Sequence, residues 1–175
     1  MVYPSISEVK EYLKEYKTVP VFYDFLSDTH TPVHIYNALS EGEENSFIFE
    51  SVSNKEKWGR YSFIGINPRM EIKIQDKSAI VKTKEGVSET EIDNPVYFLT
   101  KIMNENKSPK LSNRPNLMGG LIGYFGYDTV RYIEKKLVNI PKDDIGMPDC
   151  HLFLYDEIIA FDHLSNKIVI ILNIR

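Results

Sequence analysis

Ser46-Phe47-Ile48-Phe49-Glu50-Ser51-Val52-Ser53-Asn54-Lys55-Glu56-Lys57-Trp58-Gly59-Arg60-Tyr61-Ser62-Phe63-Ile64-Gly65-Ile66-Asn67-Pro68 is the stretch whose reading decides the fold. Phe47 to Val52 is dense enough in apolar and aromatic residues to read as a short strand buried on both faces. Tyr61 to Ile66 reads as a second strand, after a polar turn through Asn54, Lys55 and Glu56. Glu50 lies inside the first apolar run, and burying an unpaired carboxylate costs several kcal/mol, so it needs a cation or donors nearby. Arg60 opens the second run. Strands joined in this way bring Glu50, Ser51 and Arg60 into one neighbourhood. An acid, a hydroxyl and a guanidinium among aromatics suit a free amino acid, with an acceptor for its ammonium and a fork for its carboxylate. The same residues also fit a structural ion pair between neighbouring strands. Glu50 and Ser51 point to opposite faces of a regular strand, so contact of both with one ligand requires the strand to end or bulge near Ser51, or one of them to act through its backbone.

These residues carry a resemblance. Phe47-Ile48-Phe49-Glu50-Ser51 followed by Trp58-Gly59-Arg60-Tyr61-Ser62-Phe63-Ile64-Gly65 is similar to the N-terminal domain of anthranilate synthase component I. There a Leu-Leu-Glu-Ser segment and a Gly-Arg-Tyr-Ser segment line a feedback site for L-tryptophan. Phe49 stands where the family usually has the second Leu. The resemblance implies an L-tryptophan site to which Glu50, Ser51, Arg60 and Tyr61 contribute.

Outward from this stretch, the chain alternates helical and extended patterns. Ser7 precedes a helical pattern from Glu8 to Tyr16, and Thr18 to Leu26 alternates as a strand. Thr31-Pro32 reads as a cap with proline at the first helical position, leading a helix from Val33 to Leu39. Met70 to Ile74 and Ala79 to Lys84 flank Asp76-Lys77-Ser78 as a hairpin. Asn94-Pro95 opens an amphipathic helix to about Asn106, and the polar segment from Lys107 to Asn116 reads as a surface loop. Asp149 to Phe161 and Lys167 to Ile174 read as two strands joined at His163-Leu164-Ser165-Asn166. The expected class is α+β, with largely antiparallel sheets and a few packed helices in one domain spanning residues 1–175. The resemblance makes it the N-terminal part of a two-domain sandwich fold.

Three further constellations fit chemistry less well than structure. Gly119-Gly120-Leu121-Ile122-Gly123-Tyr124-Phe125-Gly126 matches neither G-x-G-x-x-G nor a P-loop, and glycine in a buried strand commonly admits another backbone. Asp128 then begins a short helix, and the whole run from Gly119 to Asp128 also resembles the same family. His30 and His34 have a chelating spacing, but Pro32 puts the helix start between them and a metal site needs three or four ligands. Adjacent Asp156 and Glu157 face opposite ways on a strand and cannot easily share one reacting group.

Composition narrows the classes. At 175 residues, 42% hydrophobic and 26% charged, the chain can bury an ordinary globular core. A net charge of −4 without a basic stripe gives no electrostatic case for nucleic acid or an anionic membrane. No apolar stretch approaches the ~20 residues that span a bilayer. One cysteine, Cys150, suits a reducing compartment, so a cytoplasmic protein is expected. The last apolar strand sits close to Arg175, which leads to the expectation that this is the leading portion of a longer protein. On the resemblance, the chorismate site, its Mg²⁺ ligands and the catalytic residues belong to a C-terminal chorismate-binding domain. None of them falls in this chain, which binds no cofactor of its own and is not catalytic alone. The implied parent converts chorismate and glutamine-derived ammonia to anthranilate and pyruvate, with a glutamine amidotransferase as component II. The N-terminal domain of aminodeoxychorismate synthase component I, of the folate pathway, is an alternative, and a non-catalytic interaction domain is another.

Overall fold

The computed structural model describes residues 2–50, 59–134, 136–137, 139 and 142–175. Within residues 1–175, read from sequence as one domain, the backbone gathers into two compact units. The first comprises Met1–Pro68, Asn106–Gly120 and Tyr155–Arg175, and the second Arg69–Glu105 and Leu121–Leu154.

In chain order the elements are β1 (Val2–Tyr3), α1 (Ile6–Tyr12), β2 (Val19–Leu26), α2 (Pro32–Ser40), β3 (Phe47–Phe49), β4 (Tyr61–Gly65), β5 (Met70–Gln75), β6 (Ser78–Thr83), β7 (Gly86–Glu91), α3 (Pro95–Glu105) and β8 (Gly120–Phe125). A 3₁₀ turn (Tyr127–Tyr132), β9 (Cys150–Tyr155), β10 (Glu157–Asp162) and β11 (Lys167–Ile174) follow. The α+β class with antiparallel sheets is as expected.

The first unit holds a six-stranded sheet in the order β1-β2-β11-β10-β4-β3, antiparallel at every pairing. Side chains alternate across it, so the register sorts them into two faces. Ile48, Ile64, Phe161 and Ile168 share one face, where Ile35 and Tyr36 of α2 pack on them. Ile64, Phe161 and Ile168 are each at most 2% exposed, and full burial of such a side chain contributes about 1.5–3 kcal/mol. Thr31 caps α2, its Oγ1 accepting from the His34 amide at 3.2 Å, with Pro32 at the first position.

The second unit holds the order β7-β6-β5-β9-β8, with α3 burying Leu99 and Ile102 against Ile72, Ile74, Ala79, Cys150 and Leu152. The β5–β6 turn uses Asp76 and Lys77 at φ +47° and +65°, a left-handed pair that suits a two-residue hairpin. Gly123 meets the backbone of β9 so closely that a Cβ there would overlap the His151 carbonyl oxygen, which is the close approach its place in a strand predicts.

Several local expectations shift. The first helix is capped by Ser5 rather than Ser7: the Ser5 amide donates to Glu8 Oε2 at 2.8 Å while Ser5 Oγ accepts from the Glu8 amide. The reason is spacing, because only Ser5 has a Glu three residues on. β3 ends at Phe49, short of the expected Val52. The strand expected from Asp149 to Phe161 is two strands parted at Asp156, because β9 pairs with β5 in one sheet and β10 with β4 and β11 in the other. β7 adds a third strand to the expected hairpin and is exposed throughout.

Candidate functional site

Arg60 immediately precedes β4, where the backbone is not bound by strand alternation. Its neighbour Tyr61 pairs with Asp162, the last residue of β10, and the His163 amide donates to the Arg60 carbonyl at 2.8 Å, closing the ladder just beyond. Asp162 and Tyr61 therefore stand side by side, and the Arg60 side chain folds across them. Its Nε donates to Asp162 Oδ1 at 3.0 Å and its Nη2 to Oδ2 at 2.7 Å, the two-pronged geometry in which guanidinium and carboxylate match best. The guanidinium lies 4.8 Å from the centroid of the Tyr61 ring.

Asp162 has a second task. Its Oδ1 also accepts from the Leu164 and Ser165 amides, at 3.1 and 3.4 Å, shaping the β10–β11 turn. Burial opposes ionisation of this carboxyl. The hydrogen bonds from Arg60, Ser165 and Leu164 outweigh it and hold its pKa below the usual carboxylate range. The hydrogen bond to Asp162 raises the Arg60 pKa further. Burial, aided by the Asp162 charge, raises that of Tyr61.

An aromatic row runs from this ion pair along the same face of β4 and β3. Tyr61 and Phe63 have ring centroids 5.7 Å apart, Phe49 pairs with Phe63, and Phe47 lies 4.6 Å from Phe49 and 4.9 Å from Tyr155. Phe47 pairs with Gly65 and its ring lies over that glycine, where a Cβ would overlap it. Phe49 is half exposed. On the opposite face Ser62, buried, meets His163 Nε2 through its Oγ at 2.7 Å.

The alternative reading, a structural ion pair between Glu50 and Arg60, is not what the structure has. Glu50 follows the end of β3 and is exposed, and among the described residues it has no hydrogen-bond or ion-pair partner. The Arg60 fork is occupied by Asp162 instead. The physical reason is topological: β4 pairs with β10, so a carboxylate 102 residues away in sequence is closer at hand than one across the turn. Ser51 lies outside the described residues. The structure thus joins Arg60 to Tyr61, adds Asp162, and leaves Glu50 unpaired among the described residues. Sequence spacing carries no information on a β4–β10 register, so it does not single out Asp162 as a partner. The only sign is its place at the polar end of an apolar strand. Asp156, which sequence does not favour as a catalytic acid, accepts both Nη2 hydrogen bonds from Arg175, at 2.9 and 2.7 Å. Among the described residues no group of three or more His, Cys, Asp or Glu side chains is placed to hold a metal ion. No helix among them is long and apolar enough to cross a membrane.

The model of a family described as chorismate binding enzyme matches residues 44–174, three quarters of the chain and all of the β3–β4 and β10–β11 framework. The chain belongs to the chorismate binding enzyme family. Anthranilate synthase component 1 of Acetivibrio thermocellus is 40% identical over 176 aligned positions, covering 100% of this chain and 35% of that protein. The protein of the same name from Pseudomonas aeruginosa is 38% identical, over 87% of this chain and 31% of its own length. The crystal structure of anthranilate synthase component I from Streptococcus pneumoniae is similar with a TM-score of 0.53 and 30% identity, over 82% of this chain and 30% of that one. This family member therefore spans about a third of the length of the relatives it matches.

Proposed function

We propose that the chain is the N-terminal part of an anthranilate synthase component I, and that its share of the work is regulatory. The parent converts chorismate and glutamine-derived ammonia to anthranilate and pyruvate, in tryptophan biosynthesis, with a glutamine amidotransferase as component II. Similarity to proteins of that name over the full chain supports this reading. Mg²⁺ would be held by residues outside this chain.

The site reading concerns L-tryptophan as feedback inhibitor. The observation that carries it is a guanidinium fixed on one edge by Asp162 and set on an aromatic row, with a carboxylate left unpaired among the described residues at the end of the neighbouring strand. Asp162 takes Nε and one proton of Nη2. Arg60 Nη1 carries no hydrogen bond among the described residues, and its protons are the ones left to donate to the inhibitor carboxylate. Glu50 accepts from the inhibitor ammonium, Ser51 adds a polar contact, and Tyr61 packs beside the indole. The rest of the pocket comes from the C-terminal chorismate-binding domain. Inhibition follows if tryptophan binds more tightly to a low-activity arrangement of the two. Because Glu50 has no partner to lose among the described residues, Glu50→Ala tests binding cleanly. Loss of one charge-assisted hydrogen bond, about 1.5–3 kcal/mol, weakens tryptophan binding to the full-length protein by roughly 10- to 150-fold in calorimetry. Unchanged affinity in Glu50→Ala and in Ser51→Phe refutes the site. Formation of 4-amino-4-deoxychorismate instead of anthranilate refutes the activity.

A further inference from the structure

Strands β2 and β11 lie inside the six-stranded sheet, yet the side of them facing away from Phe22 and Ile171 is covered only at Val19 and Ile168 and open between them. Register places Val21, Tyr23 and Phe25 of β2 beside Leu172, Ile170 and Ile168 of β11 on that side. Exposure climbs along β11, from Ile168 at 1%, under the α2 end of the face, to Leu172 at 45%. Tyr23 is 48% and Phe25 37% exposed, with their rings 5.8 Å apart. Together they present an apolar patch on the order of 300–400 Å², within the range of the largest patch on a typical monomer, which is often functional. The opposite side of the same strands is finished: Phe22 and Ile171 are fully buried, and the Arg114 guanidinium lies 4.9 Å from the Phe22 ring.

We propose that this face is a docking surface for the remainder of the parent polypeptide, which lays an amphipathic helix beside α2. The inference rests on the proposed function, in which the chain is part of a longer component I. The relatives give the scale, since about two thirds of their length lies outside the matched part. Helices pack 8–10 Å apart and strands about 4.8 Å, so one helix covers about two strands. α2 lies over β3 and β4, and its Ile35 and Tyr36 reach across to Phe161 of β10 and Ile168 at the start of β11, leaving room for a second helix over the rest of β11 and β2. Area argues against a second copy, because a stable dimer buries about 800 Å² per partner, roughly twice this patch. A tethered segment needs no such area, being held at high effective concentration. Glu157, exposed and paired with Leu172, edges the patch and selects Lys or Arg on the rim of the incoming helix.

Maleimide labelling of the full-length protein tests this. Tyr23→Cys and Leu172→Cys are compared with Val87→Cys, on the open strand β7 at a residue 67% exposed. Phe25→Cys replaces either test variant that does not accumulate folded. The expected result is labelling at 23 and 172 at least 10-fold slower than at 87, unchanged over a hundredfold dilution. Equal rates overturn the proposal, and so does protection that disappears on dilution, which would assign the face to a second copy. Tryptophan inhibition is scored on the unsubstituted full-length protein. Protection with inhibition absent keeps the docking face and overturns the feedback reading, while rapid labelling with inhibition present does the reverse.

Discussion

Removing the Asp162 carboxylate is the perturbation that most directly probes how the site is held. Asp162 is 9% exposed in its side chain and Arg60 42%, so the pair is neither a free surface bridge nor a dry one. A charge-assisted hydrogen bond in a buried setting contributes about 1.5–3 kcal/mol. Water reaching the guanidinium reduces the Arg60 share to about 1–2 kcal/mol. The Leu164 amide adds about 1 kcal/mol, and the longer Ser165 contact adds little. Asp162→Ala is therefore expected to cost about 2–3 kcal/mol. Asp162→Asn, which keeps an oxygen for the turn amides, is expected to cost about 1 kcal/mol. Urea unfolding followed by circular dichroism measures both, and a double-mutant cycle with Arg60→Met isolates the pair at about 1–2 kcal/mol. The pH dependence has a fixed sign. The folded pKa of Asp162 is depressed, so its contribution is complete above the unfolded value of about 3.9 and is lost as pH falls through the folded one. The gap between wild type and Asp162→Asn should thus close below about pH 4. A coupling energy near zero, or a gap that widens in acid, refutes the reasoning.

Three further substitutions read other parts of the fold. Gly123→Ala drives a Cβ into the His151 carbonyl at φ +157°, and backbone cannot step aside, so a loss of about 2–3 kcal/mol in urea unfolding is expected. Gly120→Ala, at φ +135° with open space around it, should cost less. Gly65→Ala collides with the Phe47 ring instead, a side chain that can be removed. Its cost of about 1–3 kcal/mol should fall markedly in the Phe47→Ala background, and strict additivity would contradict the contact. Tyr132→Phe removes a hydrogen bond to Asp149 at 2.7 Å and should cost about 1 kcal/mol. Burial, with that bond, pushes the Tyr132 phenol up to about 12. Ultraviolet titration of the variant should lose a tyrosinate at that end, and wild-type stability should fall as pH rises past the ordinary tyrosine value of about 10.

The contrast between Glu50 and Asp162 locates the limit of what the residues alone convey. Hydrophobic periodicity, Thr31-Pro32, Asn94-Pro95 and the Asp76-Lys77 turn are local signals, and each produces an element close to its expected bounds. The Ser5–Glu8 box is equally local and equally strong. It competes with Ser7, which also precedes the apolar pattern, and that competition accounts for the two-residue shift of the cap. Whether Glu50 is buried is not a local property. It depends on where the β3–β4 ladder stops, and that ladder has three rungs, the last joining Phe49 to Phe63. The partner of Arg60 is further from local reach, because it is chosen by a β4–β10 register that brings residues 60 and 162 together. The break at Asp156 has the same origin: periodicity continues from Cys150 to Asp162, while the two halves pair in different sheets. The sequence thus conveys that Arg60 belongs in a polar neighbourhood but not that Asp162 is its ion-pair partner, since that identity is settled by topology. That difference strengthens the case for testing Glu50 as a ligand contact. With the guanidinium satisfied by Asp162, Glu50 makes no stabilising contact among the described residues, so its removal should leave folding nearly unchanged and report on binding alone.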